Sequence, residues 1–201
     1  MISPDKLSPE LLTFDSETTG LFPEQGAVML QFAAVHESGK FFNVTIQPTE
    51  EEWLNAHPKA LEVNGLTWEV VSRGIPISQA GDNFARWMTE NNYIGNHILL
   101  AGQNPAFDMR FMWSSWYNSL NEIGFPKRSG QVLDAQTVYI IWNNVIKKRI
   151  LKPNTRTSLK NICDAIGVPP EPEPHDALQG AQATMRAIKK MASEIELYQY
   201  L

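Results

Sequence analysis

Apolar positions along the chain switch between two periods. Leu11-Leu12-Thr13-Phe14 is a short continuous apolar run and reads as a buried strand. Residues 27–36 and 41–47 read as two more strands, joined by Glu37-Ser38-Gly39-Lys40, which has the composition of a hairpin turn. Alternation is imperfect in the first of these, as expected of a central strand covered on both faces. At Pro48 the period becomes helical. Thr49 supplies an N-cap residue and Glu50-Glu51-Glu52 an acidic first turn, and short helical pieces continue to about Val71, broken at Pro58 and Asn64-Gly65. Residues 78–91 place Phe84, Trp87 and Met88 at helical spacing.

Ile98-Leu99-Leu100-Ala101 is a fourth strand. Asn104 and Pro105 form an N-cap and N1 pair that opens a helix, along which Met109, Met112, Trp113, Trp116 and Leu120 recur as core positions. A strand over 131–133 and a helix over 135–146 follow. Thr157-Ser158 caps a helix through Ile166, and the proline-rich stretch from Val168 to Pro174 delivers His175 to a final helix ending near Tyr198. Strands interleaved with helices, without a repeat or a linker long enough to divide them, predict one α/β domain over residues 1–201.

The stretch Asp15-Ser16-Glu17-Thr18-Thr19-Gly20 closes the first strand. Side chains two positions apart share a strand face, so Asp15 and Glu17 aim two carboxylates at one spot while Ser16 points away. Facing anions repel and resist desolvation unless a cation lies between them, and a hard divalent ion suits oxygen donors. Asp108 lies one turn into the helix that follows the fourth strand, the kind of junction where α/β folds place ligands.

Composition narrows the choice. The 201 residues are 43% hydrophobic and 19% charged, which describes a folded chain. A formal net charge of −5 argues against coating nucleic acid by bulk electrostatics, but not against gripping a few phosphates locally. Residues 135–163 contain no acid and six basic side chains (Lys147, Lys148, Arg149, Lys152, Arg156 and Lys160), either a phosphate-contacting edge or a solvated loop. Cys163 is the sole cysteine and reads as core; with no apolar run of membrane length and no secretory pattern in Met1–Lys6, a soluble cytoplasmic protein is expected.

Taken in order, these fragments resemble the DEDDh family of 3′→5′ exonucleases, which includes the proofreading epsilon subunit of replicative polymerases. Asp15-Ser16-Glu17-Thr18-Thr19-Gly20-Leu21 is similar to the first family motif, and Val63-Asn64-Gly65-Leu66-Thr67 to its G-[IL]-T segment. Gly102-Gln103-Asn104-Pro105-Ala106-Phe107-Asp108 resembles the second motif, with Gln103 where a histidine is common. Val132-Leu133-Asp134 matches the next strand, and Ser158-Leu159, Gly167-Val168 and His175-Asp176-Ala177-Leu178 the approach to the third motif.

The resemblance implies a ribonuclease H-like three-layer fold, a mixed five-stranded sheet flanked by helices. It implies a two-metal phosphodiesterase using two Mg²⁺ or Mn²⁺ at Asp15, Glu17 and Asp108, with His175 as general base. The substrate is then the 3′ end of single-stranded DNA or RNA, contacted by Thr18, Leu21, Val63 and Asn104, with a polymerase as a further partner. The chain departs from the pattern where the fourth carboxylate belongs, which is Gly180. Asp176 lies one turn earlier on the same helical face, but side chains tilt toward the helix N-terminus and carry its carboxylate away. The glycine therefore reads as a missing ligand that weakens activity and that aspartate at 180 would restore. The alternative is an impaired nucleic-acid-end-binding or polymerase-accessory module on the same fold.

Overall fold

The computed structural model describes residues 9–95, 97–151 and 155–198. Five strands form one sheet: β1 (Glu10–Thr18), β2 (Met29–His36), β3 (Phe41–Thr45), β4 (Ile98–Gly102) and β5 (Leu133–Asp134), in the order β3-β2-β1-β4-β5. The β1–β2 and β2–β3 pairs are antiparallel and the β1–β4 and β4–β5 pairs parallel, so the sheet is mixed as expected. The first strand is longer than its apolar run. It continues through Asp15 and Glu17, because β2 keeps pairing with it to a bulge between Glu17 and Thr18.

Nine α-helices complete the described residues. They are α1 (Glu50–Leu54), α2 (Pro58–Asn64), α3 (Trp68–Val71), α4 (Ile77–Glu90), α5 (Pro105–Ser115), α6 (Tyr117–Glu122), α7 (Ala135–Ile141), α8 (Leu159–Ile166) and α9 (Ala177–Tyr198). Thr49 forms a full capping box with Glu52, and Ser158 caps α8. The expected helix after β4 is broken at Trp116, which separates α5 from α6, and α7 ends in a π-turn over Trp142–Ile146.

Alternation along β1 assigns the two faces. Leu12 and Phe14 pack with Phe32, Phe84, Phe111, Met112 and Leu120 under α4, α5 and α6. Leu11 packs with Val35, Ala181, Met185 and Ile188 under α9, and α7, α8 and α9 share a further cluster containing the buried Cys163. Helices on both faces of the sheet make the three layers. At the α9 face the approach is close enough for the Thr13 hydroxyl to donate to the Ala181 carbonyl at 2.8 Å. No helix among the described residues is long and apolar enough to cross a membrane; Met1–Lys6 lie outside the described residues.

Candidate active site

Strand order creates the opening in which the acids meet. The last β1–β4 pair is Thr13 with Ala101, so beyond it β1 is paired with β2 alone. Into that gap the chain after β4 turns and starts α5. Asp108, in the first turn of α5, is buried there and accepts the Ser16 hydroxyl at 2.6 Å. Ser16 does leave the face of Asp15 and Glu17, and from that position it anchors the third carboxylate.

Asn104 takes the expected N-cap position of α5, with Pro105 at N1, but not through its side chain. Asn104 precedes α5 with φ 56°, a left-handed conformation in which its side chain makes no cap bond. Its backbone N–H donates instead to Asp134 Oδ1 at 3.1 Å, an oxygen that also caps α7 through Gln136 N–H at 3.0 Å. Asp134 thus fixes the starts of two helices relative to each other.

His175 stands just before α9 with 44% of its side chain exposed. Its backbone N–H donates to the Val63 carbonyl at 3.0 Å, and the neighbouring Asn64 amide donates to the Thr18 carbonyl at 3.2 Å. The end of α2 therefore bridges the terminus of β1 and the loop that presents the histidine. Gly65 is left-handed at φ 64°, and a Cβ there would stand 2.7 Å from Pro174 Cβ.

A fourth carboxylate is present that the motif pattern does not reveal. Glu171, in the proline-rich loop, has only 9% of its side chain exposed and lies 3.7 Å through Oε2 from His175 Nδ1. Ligand atoms of Glu17, Glu171 and His175 all fall within 4.8 Å of one another. In sequence Glu171 and Glu173 are alike, each between prolines, and nothing in the pattern tells the buried one from the exposed one. Asp176 is accounted for as a cap: its Oδ1 accepts Gln179 N–H at 3.1 Å, which commits it to the start of α9.

The acids crowd one another with only the His175 imidazole, beside Glu171, as a basic neighbour among the ion pairs of the described residues. Among the described residues no lysine or arginine pairs with Asp15, Glu17, Asp108 or Glu171. Burial first, then the charges of Asp108, Glu17 and Glu171, push the Asp15 carboxyl well above its ordinary range. Burial, with Glu171 and Asp108 next, raises Glu17 to about 8. Burial raises Asp108 to about 7 against the lowering effect of the Ser16 hydrogen bond. Such a site favours protons or a cation over bare carboxylates. The donors are all oxygen apart from one imidazole, a set that fits Mg²⁺ or Mn²⁺.

Of the expected substrate contacts, Thr18, Leu21 and Val63 come together. They line a cleft of about 280 Å³ shared with Ser16, Glu17 and Phe107. Leu21 is 64% exposed at its rim, while the Thr18 hydroxyl is spent inside the turn, donating to the Gly20 carbonyl at 2.7 Å. Asn104 does not line this cleft; His57 does, and no local pattern around His57 signals it. The basic window divides. Lys147 pairs with Glu194 Oε2 at 2.8 Å and lies 4.9 Å from the Trp142 ring centroid, and Lys160 pairs with Asp164 at 2.7 Å. Lys148 and Arg149 are exposed, and Lys152 lies outside the described residues.

A mixed β3-β2-β1-β4-β5 sheet between helical layers, with acids gathered at the far end of its central strand, is the ribonuclease H-like architecture. The exonuclease family model (RNase_T) matches residues 12–188, and the chain belongs to that family. A DNA polymerase III subunit epsilon-like protein of Rhodobacter capsulatus is 28% identical over 114 residues, which are 54% of this chain and 14% of that protein. This chain therefore corresponds to a small part of that relative's length.

Solved structures share the fold. The nuclease domain of 3′hExo, a DEDDh family member bound to rAMP, superposes with a TM-score of 0.71 at 18% identity, covering 94% of both chains. E. coli Exonuclease I in complex with a 5cy-dT13 oligonucleotide gives a TM-score of 0.69 at 18% identity, covering 96% of this chain and 43% of that one.

Proposed function

We propose that this protein is a divalent-metal-dependent 3′→5′ exonuclease that removes nucleotides from the 3′ end of single-stranded DNA or RNA. The observation that carries the reading is the crowding of Glu17 with Asp15 and Asp108 on one side and with Glu171 and His175 on the other, beside the cleft of about 280 Å³. Exonuclease family membership, the rAMP bound by one structural neighbour and the oligonucleotide bound by another support it.

Asp15, Glu17 and Asp108 would hold two Mg²⁺ or Mn²⁺ ions. When bound, such ions stabilise charge on the phosphoryl oxygens and acidify a coordinated water. The chain's own residues do the rest. Leu21 and Val63 border the cleft as apolar surfaces against which a terminal base would stack, and Phe107 adds an aromatic wall. Ser16 keeps Asp108 in place, and the Val63 carbonyl holds the backbone of His175. With His175 Nδ1 turned toward Glu171, Nε2 is the atom that accepts a proton from the attacking water, and the Glu171 carboxylate stabilises the resulting imidazolium.

The reading as an impaired end-binding module rests on Gly180 alone, and Glu171 stands beside Asp15 and Glu17. The test uses one oligonucleotide labelled at its 5′ end and another labelled at its 3′ end, each with Mg²⁺, Mn²⁺ or EDTA. Stepwise shortening of the 5′-labelled strand, with immediate release of the 3′ label as mononucleotide, is expected with metal and is lost in EDTA. An intact strand retained by the protein under all conditions would support the binding module instead.

A further inference from the structure

We infer that Glu171 supplies the fourth carboxylate of the cation site from the proline-rich loop, and that glycine at 180 is the condition for this arrangement. The inference rests on the metal-dependent reading above and names a ligand that the family pattern does not place there.

Gly180 faces β1 at the level of Asp15. A Cβ built at 180 would overlap Asp15 Oδ2, with Asp15 Cγ at 2.9 Å and Glu171 Oε1 at 3.4 Å. Two carboxylates from other elements thus border the one point that a side chain at 180 would occupy. The absent side chain leaves no hole, because Asp15 reaches into the space from β1 while Glu171 touches its edge from the loop. Close packing of α9 on β1 at the adjacent Ala181 leaves the helix little room to withdraw.

Glu171 is also held for the task. Its Oε1 accepts the Asp176 N–H at 2.8 Å, tying the loop glutamate to the residue that caps α9. A capping role alone explains its position poorly. One hydrogen bond to a backbone N–H and an imidazole at 3.7 Å offset little of what it costs to bury a carboxylate against the like charges of Asp15 and Glu17. A cation shared with Glu17 and Asp15 removes that conflict.

The experiment is Mn²⁺ titration of the full chain, read by calorimetry and by the loss of the free-ion electron paramagnetic resonance signal, with no substrate present. Glu171→Gln keeps the size and the acceptor for Asp176 N–H and is expected to weaken Mn²⁺ binding roughly tenfold or more. Glu173→Gln makes the same charge change on the same loop and should bind like the unaltered protein. Gly180→Asp is expected to bind more weakly than the unaltered protein, since its side chain must displace Asp15. Should Glu171→Gln melt below the assay temperature, Gly180→Ala adds the Cβ without charge and should also weaken binding.

Unchanged affinity in Glu171→Gln, alongside lost binding in Asp15→Asn, would overturn the role of Glu171 and leave the metal reading standing. Tighter binding in Gly180→Asp would show that position 180 is a vacancy after all. If the unaltered protein takes up no Mn²⁺, the metal reading falls and this inference with it.

Discussion

Ser16 donates its hydroxyl to Asp108 Oδ1 at 2.6 Å, joining β1 to the first turn of α5 from the face opposite Asp15 and Glu17. This bond favours the charged carboxylate, so removing it raises a group already at about 7. Ser16→Ala is expected to move the acidic limb of the pH–rate profile to higher pH and to lower stability by about 1 kcal/mol. Rate profiles and urea melts read both; an unmoved limb would mean that Asp108 does not set it.

Metal-free stability should fall as pH rises. Glu17 goes from an ordinary 4.5 to about 8 on folding, and Asp108 from 3.8 to about 7. Groups whose folded values are raised stabilise the fold fully below their unfolded values, and that contribution is lost as pH rises through the folded ones. The expected loss therefore runs from about pH 4 to pH 8. Added Mn²⁺ should reverse it, with a melting-temperature gain that is large at pH 8 and vanishes toward pH 5. Thermal melts with and without EDTA check the sign; a gain that grows on acidification would contradict it.

Gly65 tests how the histidine is held. Alanine there must adopt φ 64° and would press its Cβ against Pro174. Gly65→Ala is expected to destabilise by about 1–2 kcal/mol and to lower kcat at least tenfold by moving His175, while Mn²⁺ affinity holds. Equal loss of metal affinity would place the damage at the carboxylates.

The basic window separates into structural and accessible charges. Lys147→Ala removes a partner that, with Lys190, holds Glu194 down to about 2, so it should reduce stability at neutral pH and leave oligonucleotide affinity unchanged. Lys148→Ala with Arg149→Ala should weaken single-strand binding and flatten its salt slope by about 0.7 for each phosphate that is no longer neutralised. Unchanged slopes would assign both residues to a solvated face.

Much of this architecture is legible in the chain itself. The period changes locate the strands and longer helices, since amphipathic faces must be buried wherever they lie. Asp15, Glu17, Asp108 and His175 are visible because motif order carries them. Glu171 is not, because burial of one glutamate and exposure of another in Pro170-Glu171-Pro172-Glu173-Pro174 depends on how the loop folds against α9, not on local pattern. Gly180 reads as a loss for a similar reason. Sequence shows an absent side chain, while only packing shows that Asp15 reaches into its place and Glu171 stands at its edge. The helix break at Trp116 is hidden by apolar spacing that continues across it.

Metal-dependent catalysis at Asp15 is tested by single-turnover cleavage of a 5′-labelled single strand by the unaltered protein and by Asp15→Asn, each in Mg²⁺ and Mn²⁺. Circular dichroism and apo melting temperature are recorded in parallel. Loss of one of several crowded acids should leave apo stability equal or slightly higher, because repulsion is relieved. Ladders shortening from the 3′ end are expected for the unaltered protein and none for a fully folded Asp15→Asn. A folded Asp15→Asn that cleaves at the unaltered rate would contradict metal-dependent catalysis at Asp15.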